Sequence, residues 1–278
     1  MGVSQWSPRA AFSRLVQLPD AEIDLAEGAL WIAAEDYPDL RPSVYLERIA
    51  RMGEELKARI RNEVDPQRIV EKFNRYFFEE LQFKGNRNEY YDPKNSFLNE
   101  VLERRIGIPI TLSVAYIAIG ERAGLPVRGV GMPGHFVVKY APTTADVEMF
   151  IDPFNAQVLD RTGCAKLIEE MFGPDFLVKP VFFEPSSKRS ILARILNNLK
   201  ALWMSGGDLK KALSASDRIV LADPHLTSEW RDRALIEQQL HMDSAALADF
   251  NRYLSVRPMP EDADRIRQLR NQLMGRLN

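Results

Sequence analysis

The 278-residue chain predicts an α+β core beneath an N-terminal helical cover, followed by an all-α repeat region. Three observations carry that expectation. Before residue 90 the apolar residues recur only at helical spacing. Between Pro109 and Asp152 the spacing shortens from that of a helix to that of strands, the order of an α+β core. Beyond Lys188 only helices are legible, and they recur at a period of 34 residues. The reading assigns residues 1–186 to cover and core, with the core proper at 90–186, and residues 187–278 to the repeats.

In chain order, residues 1–20 read as a loosely held arm ending in a short helix, and Asp20 to Ala34 as helical. Ser43 is expected to cap a helix whose residues Leu46, Ile49, Leu56 and Ile60 share one face. Asp65-Pro66 opens a third helix with Ile69, Val70, Phe73, Phe77 and Leu81 buried. Gly85 to Pro93 reads as polar loop. Ser96 is expected to cap a short helix that Gly107 ends. Pro109 then takes the first position of a helix that is apolar nearly all round and therefore interior. Gly124 stops it and Pro126 follows.

The strands come next: Val127–Val130, His135–Tyr140 and Glu148–Asp152, with loops at 131–134 and 141–146. Short loops imply antiparallel neighbours. Gln157–Leu159 is a brief extended piece, Thr162 caps a helix reaching Met171, and Phe176–Phe183 reads as one more strand. In the repeats Ala212-Leu213, Val220 and Pro224 recur as Ala246-Leu247, Leu254 and Pro258. That is the period of tetratricopeptide helix pairs, although Gly207 has His241 as its counterpart. The helix from Pro260 to Leu277 would cap the array.

Composition removes several classes of function. The chain is 45% hydrophobic and 27% charged with a formal net charge of -2, which argues against a nucleic-acid binder. Cys164 is the one cysteine, so no internal disulfide can form. The N-terminal residues lack the apolar stretch of a signal peptide, and no run approaches the roughly 18 apolar residues of a membrane span. A cytoplasmic protein that does not engage membranes is expected. Cys164, His135, His225 and His241 are too scattered for a zinc site, and no glycine loop suited to phosphate is present, so neither metal nor cofactor is implied.

One pair of residues does suggest chemistry. A histidine opening one strand, His135, and an aspartate ending the next, Asp152, form the base-and-orienter half of a nucleophilic triad. The nucleophile would belong at the start of the preceding buried helix. There, unpaired N–H groups and the helix dipole stabilise a thiolate and a developing oxyanion. That start reads Gly107-Ile108-Pro109-Ile110-Thr111. Thr111 and Ser113 are the candidate hydroxyls nearby, and Cys164 is the one thiol. Each has a plainer reading: a hydroxyl bonded to backbone for Thr111, a core serine for Ser113, a small core residue for Cys164. His135 and Asp152 could equally be a packing pair, or Asp152 a turn aspartate before Pro153. Asn95, Asn99 and Glu103 are spaced by four and with Arg105 form either a cleft rim or a solvated helix face.

The ordered series Gly107-Ile108-Pro109, Gly124-Leu125-Pro126, Gly134-His135 and Ile151-Asp152-Pro153 resembles the transglutaminase-like superfamily, with its papain-like core. More narrowly, residues 40–275 resemble the SirB1 family of bacterial proteins, in which such a core precedes tetratricopeptide-like repeats. The resemblance implies a Cys-His-Asp triad, with His135 and Asp152 as its last two members. It places the cysteine position at or beside Pro109, so the implied triad is degenerate. It also implies a regulatory association in bacteria. Two functions follow as expectations: a non-catalytic scaffold whose repeats bind a protein partner, or an amide- or ester-bond hydrolase or acyl transferase using a non-cysteine nucleophile.

Overall fold

The structure, a computed structural model, describes residues 7–143, 147–256 and 260–277. It divides into two units, Met1–Ile191 and Leu192–Asn278.

The first unit opens with helices α1 (Pro8–Leu15), α2 (Leu25–Ala34), α3 (Pro42–Ile60) and α4 (Pro66–Asn74). Asp24 caps α2 by accepting the N–H groups of Ala26 and Glu27, so the expected helix from Asp20 is broken there. The cap of α3 is Arg41, without a side-chain bond, because Pro42 occupies the first helical position instead of Ser43 following a cap. Asp65 caps α4 as expected, but the helix widens into a π turn over Arg75–Glu80.

Two short strands, β1 (Lys84–Gly85) and β2 (Ile106–Gly107), pair in parallel and flank helix α5 (Leu98–Arg104). Three expectations are corrected here. Lys84 and Gly85 are strand, since Lys84 and Asn86 donate their N–H groups to Arg105 and Gly107. Phe97, not Ser96, precedes α5. Arg105 ends it in the left-handed region (φ 61°), which leaves Gly107 to the strand pair.

Helix α6 (Pro109–Arg122) is the interior element, buried from Pro109 through Gly120. Tyr116 stacks on Phe73 with ring centres 3.7 Å apart, and its hydroxyl donates to Asn74 Oδ1 at 2.9 Å. The sheet that follows is an antiparallel meander of β3 (Val127–Met132), β4 (His135–Tyr140), β5 (Met149–Asp152) and β6 (Gln157–Leu159). Residues 144–146 of the expected 141–146 loop lie outside the described residues.

Helix α7 (Arg161–Phe172) is capped by Asp160, whose carboxylate accepts Gly163 N–H, rather than by Thr162. The expected strand Phe176–Phe183 is irregular chain ending in a 3-10 turn, Pro180–Phe183. Its apolar pattern has another cause: Phe176, Val178, Phe182 and Phe183 pack with Val130, Val137, Phe150 and Ile168 without joining the ladder.

Helix α8 (Lys188–Ser205) leads to the second unit, which continues with α9 (Leu209–Ala222), α10 (Thr227–Gln239), α11 (Asp243–Ser255) and α12 (Pro260–Leu277). Ala212 and Ala246, matched at the repeat period, are both fully buried. Gly207 and His241 both take left-handed backbone, at φ 77° and 58°, so the turn repeats even where the residue does not. Pro258, the partner of Pro224, lies outside the described residues. Ala234, Ala246, Phe250 and Tyr253 form one core with Ile266 and Leu273 of α12, the expected capping role. Among the described residues no helix is long and apolar enough to cross a membrane.

Candidate functional site

The site is built at one end of the meander. A two-residue turn, Pro133-Gly134, joins β3 to β4, and Gly134 has φ 70°. Proline followed by a positive-φ glycine is the type II pattern. A Cβ on Gly134 would lie 2.9 Å from Met171 Sδ and 3.1 Å from the Phe172 ring, so α7 seats the turn that launches His135. Asp152 ends β5, where Pro153–Ala156 turns the chain into β6.

His135 and Asp152 meet as expected: Nε2 and Oδ2 are 2.7 Å apart, with the carboxylate wholly buried and the imidazole side chain 11% exposed. Four donors converge on that carboxylate. Oδ1 accepts the backbone N–H groups of Phe154 (3.0 Å) and Asn155 (3.2 Å). Oδ2 accepts Asn155 Nδ2 at 2.7 Å as well as the imidazole. Burial pushes the acidity of Asp152 towards the neutral form, but the bonds from His135 and Asn155 outweigh it and hold the group below its usual range. A carboxylate so held accepts a proton from Nε2–H, which makes Nδ1 the basic ring nitrogen of the neutral imidazole.

The candidate nucleophiles are engaged or enclosed in different ways. Pro109 begins α6 and is buried. Thr111 donates its hydroxyl to Asn95 O at 2.6 Å and accepts the N–H of Ile108, so it closes the start of the helix. Ser113 is fully buried, and its hydroxyl has no hydrogen-bond partner among the described residues. Strand parity gives the face on which His135 lies. His135 pairs with Met132, whose side chain lies with Val137, Phe150, Cys164 and Ile168 on the face that α7 covers. Helix α6 meets the other face, where Gly120 is pressed against Val127. Cys164 does share the face of His135, but its thiol is fully buried. Burial first, then Asp152, Asp160 and Glu148, pushes its pKa up to about 12, so it stays protonated at neutral pH.

The expected rim is divided. Asn95 is on the 3-10 turn before α5, not on its face, and is wholly buried. It donates to Glu89 O and Tyr90 O and accepts from Asn86 Nδ2 at 3.0 Å, which ties down the 84–95 segment. Asn99 is also buried, whereas Glu103 is exposed and pairs with Arg48 at 3.1 Å. Arg105 lays its guanidinium 4.6 Å over the Phe83 ring. The four therefore differ in burial and in what they touch.

Two residues that sequence reasoning passed over belong to the site. Asn155 bonds Asp152 twice, and Arg87 donates to Asn155 Oδ1 while lying 5.4 Å over the Phe154 ring. The signal for Asn155 was local, an asparagine three positions after an aspartate that ends a strand. Arg87 is 68 positions away from it, and nothing in the sequence links them. Among the described residues no group of three or more His, Cys, Asp or Glu could hold a metal ion.

Residues 43–197 match the family model described as transglutaminase-like superfamily, and residues 199–271 match a tetratricopeptide-repeat model. A UPF0162 protein of Xylella fastidiosa (strain Temecula1) is 35% identical over 261 residues, covering 92% of each chain. A UPF0162 protein of Vibrio cholerae is 27% identical over 262 residues, covering 93% of this chain and 97% of that one. Human F-box only protein 21 is 29% identical over 144 residues, which is 50% of this chain and 22% of that protein. No solved structure matches.

Proposed function

The chain belongs to the transglutaminase-like superfamily, and from that premise we propose that it is a non-catalytic scaffold whose tetratricopeptide repeats bind a protein partner. Repeats of this kind generally mediate protein–protein interaction, so the binding role rests on the second unit. The observation that carries the non-catalytic reading is the start of α6: a buried proline where the family cysteine would stand, with the neighbouring Thr111 hydroxyl bonded to Asn95 O. A protein that binds without turnover acts by occupancy, and we propose a regulatory role in a bacterial cell, where the relatives matched along most of the chain are found.

A second reading keeps an enzyme. The buried His135–Asp152 pair at 2.7 Å is the observation in its favour, with a water or a hydroxyl as nucleophile on an amide or ester bond. The test uses the intact chain, His135→Ala, and a chain ending before residue 188. On the scaffold reading, all activity towards a panel of amide and ester substrates is absent from wild type. His135→Ala retains the captured partner and the truncated chain loses it. Turnover by wild type that His135→Ala abolishes would reject it.

A further inference from the structure

The Asp152 carboxylate is shared. Its Oδ2 holds both His135 Nε2 and Asn155 Nδ2, each at 2.7 Å, and Asn155 passes its own carbonyl oxygen to the Arg87 guanidinium. The amide orientation of Asn155 follows from the chemistry of its two neighbours. A carboxylate needs a donor and a guanidinium offers only donors, so Nδ2 must face Asp152 and Oδ1 must face Arg87. Arg87 is exposed, but its plane lies over Phe154, and the same ring is crowded by Gly85, where a Cβ would come within 2.6 Å of it. Tyr90 adds an edge contact to Phe154 at 6.0 Å. The 84–95 segment thus grips the 152–156 turn: Arg87 donates to Asn155, and Asn155 and His135 both donate to Asp152.

We propose that Asn155, backed by Arg87, is the positioning residue of this site: it aims the Asp152 carboxylate so that His135 is held as a single Nε2–H tautomer, with Nδ1 its acceptor nitrogen. The proposal rests on reading His135 and Asp152 as the retained polar pair of the family, whether the site binds or reacts. A turn lock alone would not need the side-chain bond, because the backbone N–H groups of Phe154 and Asn155 already fix the turn to Oδ1. The side-chain amide acts only on the oxygen that the imidazole uses.

The experiment is long-range proton–nitrogen NMR of the imidazoles in the full chain, which has three histidines, with His135 assigned by loss of its signals in His135→Gln. The variants are Asn155→Ala, Asn155→Asp, Arg87→Ala and Asp152→Asn. In wild type with a neutral imidazole, the two ring nitrogens of His135 should show the wide separation of one fixed tautomer. Asn155→Ala and Asn155→Asp should bring them towards their average. The aspartate variant is the harsher test, since it keeps an acceptor for Arg87 but sets a second carboxylate against Asp152 in place of the donor. Arg87→Ala should cause a smaller change in the same direction. It also keeps the test open if the Asn155 variants lose their folded spectrum, because the Arg87 side chain is exposed. Wild-type separation in folded Asn155→Ala and Asn155→Asp, or in Arg87→Ala alone if those do not fold, would overturn the proposal. If Asp152→Asn also leaves His135 unchanged, the reading of the pair itself fails; if Asp152→Asn collapses the separation while the others do not, only the role of Asn155 fails.

Discussion

Asp152 shows how one buried side chain can depend on its charge. It accepts four hydrogen bonds and has no exposed surface, so an amide there would set its own N–H group against donors. Asp152→Asn should lower the stability of the first unit by about 1–3 kcal/mol at neutral pH, read from urea midpoints. The sign with pH follows from the depressed acidity. The stabilisation is complete above the ordinary carboxylate value of about 4, and it drains away as pH falls through the lower folded value. The gap between wild type and variant should therefore close in acid, and a gap independent of pH would contradict the argument. Glu237 behaves in the opposite sense. Burial first, then Asp249 and Asp217 against Arg233, raises it to about 7, and Oε2 has no hydrogen-bond partner among the described residues. A raised carboxyl favours folding below its unfolded value and loses that advantage as pH rises through 7. Glu237→Gln should leave the second unit unchanged near pH 4 and stabilise it by roughly 1–2 kcal/mol at pH 8. At this scale His135 and Asp152 were readable from the sequence, because each sits at a strand end. Arg87 was not, because its role exists only through a contact between distant segments.

Elements were legible where a local rule governs them. Pro109, Gly124 and the apolar run between them define α6 within a residue, because helix start, stop and interior burial are all encoded nearby. Phe176–Phe183 misled, because apolar spacing reports burial and not hydrogen bonding; those side chains reach the core from irregular chain. The α10–α11 turn makes a further point. His241 adopts φ 58° at the position where the preceding repeat has glycine, and a β-carbon there costs roughly 1 kcal/mol. His241→Gly should raise the stability of the second unit by about 0.5–1 kcal/mol, and His241→Val should lower it, both measured by denaturant midpoint. Equal midpoints for the two would show that the turn tolerates any residue.

Across the molecule the two units are held by different means. The first has a mostly apolar interior around α6 and the meander. The second places ionic groups inside its helices. Lys200 is 7% exposed and donates to both oxygens of Glu229, at 2.9 and 2.6 Å, while Ser216 donates to the same carboxylate. Arg233 bridges Asp217 at 3.0 Å and Asp249. Removing Lys200 takes the cation from the buried Glu229 carboxylate and leaves it the Ser216 hydroxyl. Lys200→Met should therefore cost about 3–5 kcal/mol in the unfolding of the second unit, and adding Glu229→Leu should recover part of it. Additive losses in the double variant would rule out direct coupling.

The amino-acid order by itself determined the class of the fold, the interior helix, the repeat period and the two residues that face each other across the sheet, because each follows from spacing within one element or its neighbour. Only the tertiary structure decided which hydroxyls are bonded elsewhere, which sheet face each candidate occupies, and that Arg87 and Asn155 stand behind Asp152. Those properties depend on which distant segments touch, and periodicity carries no information about that.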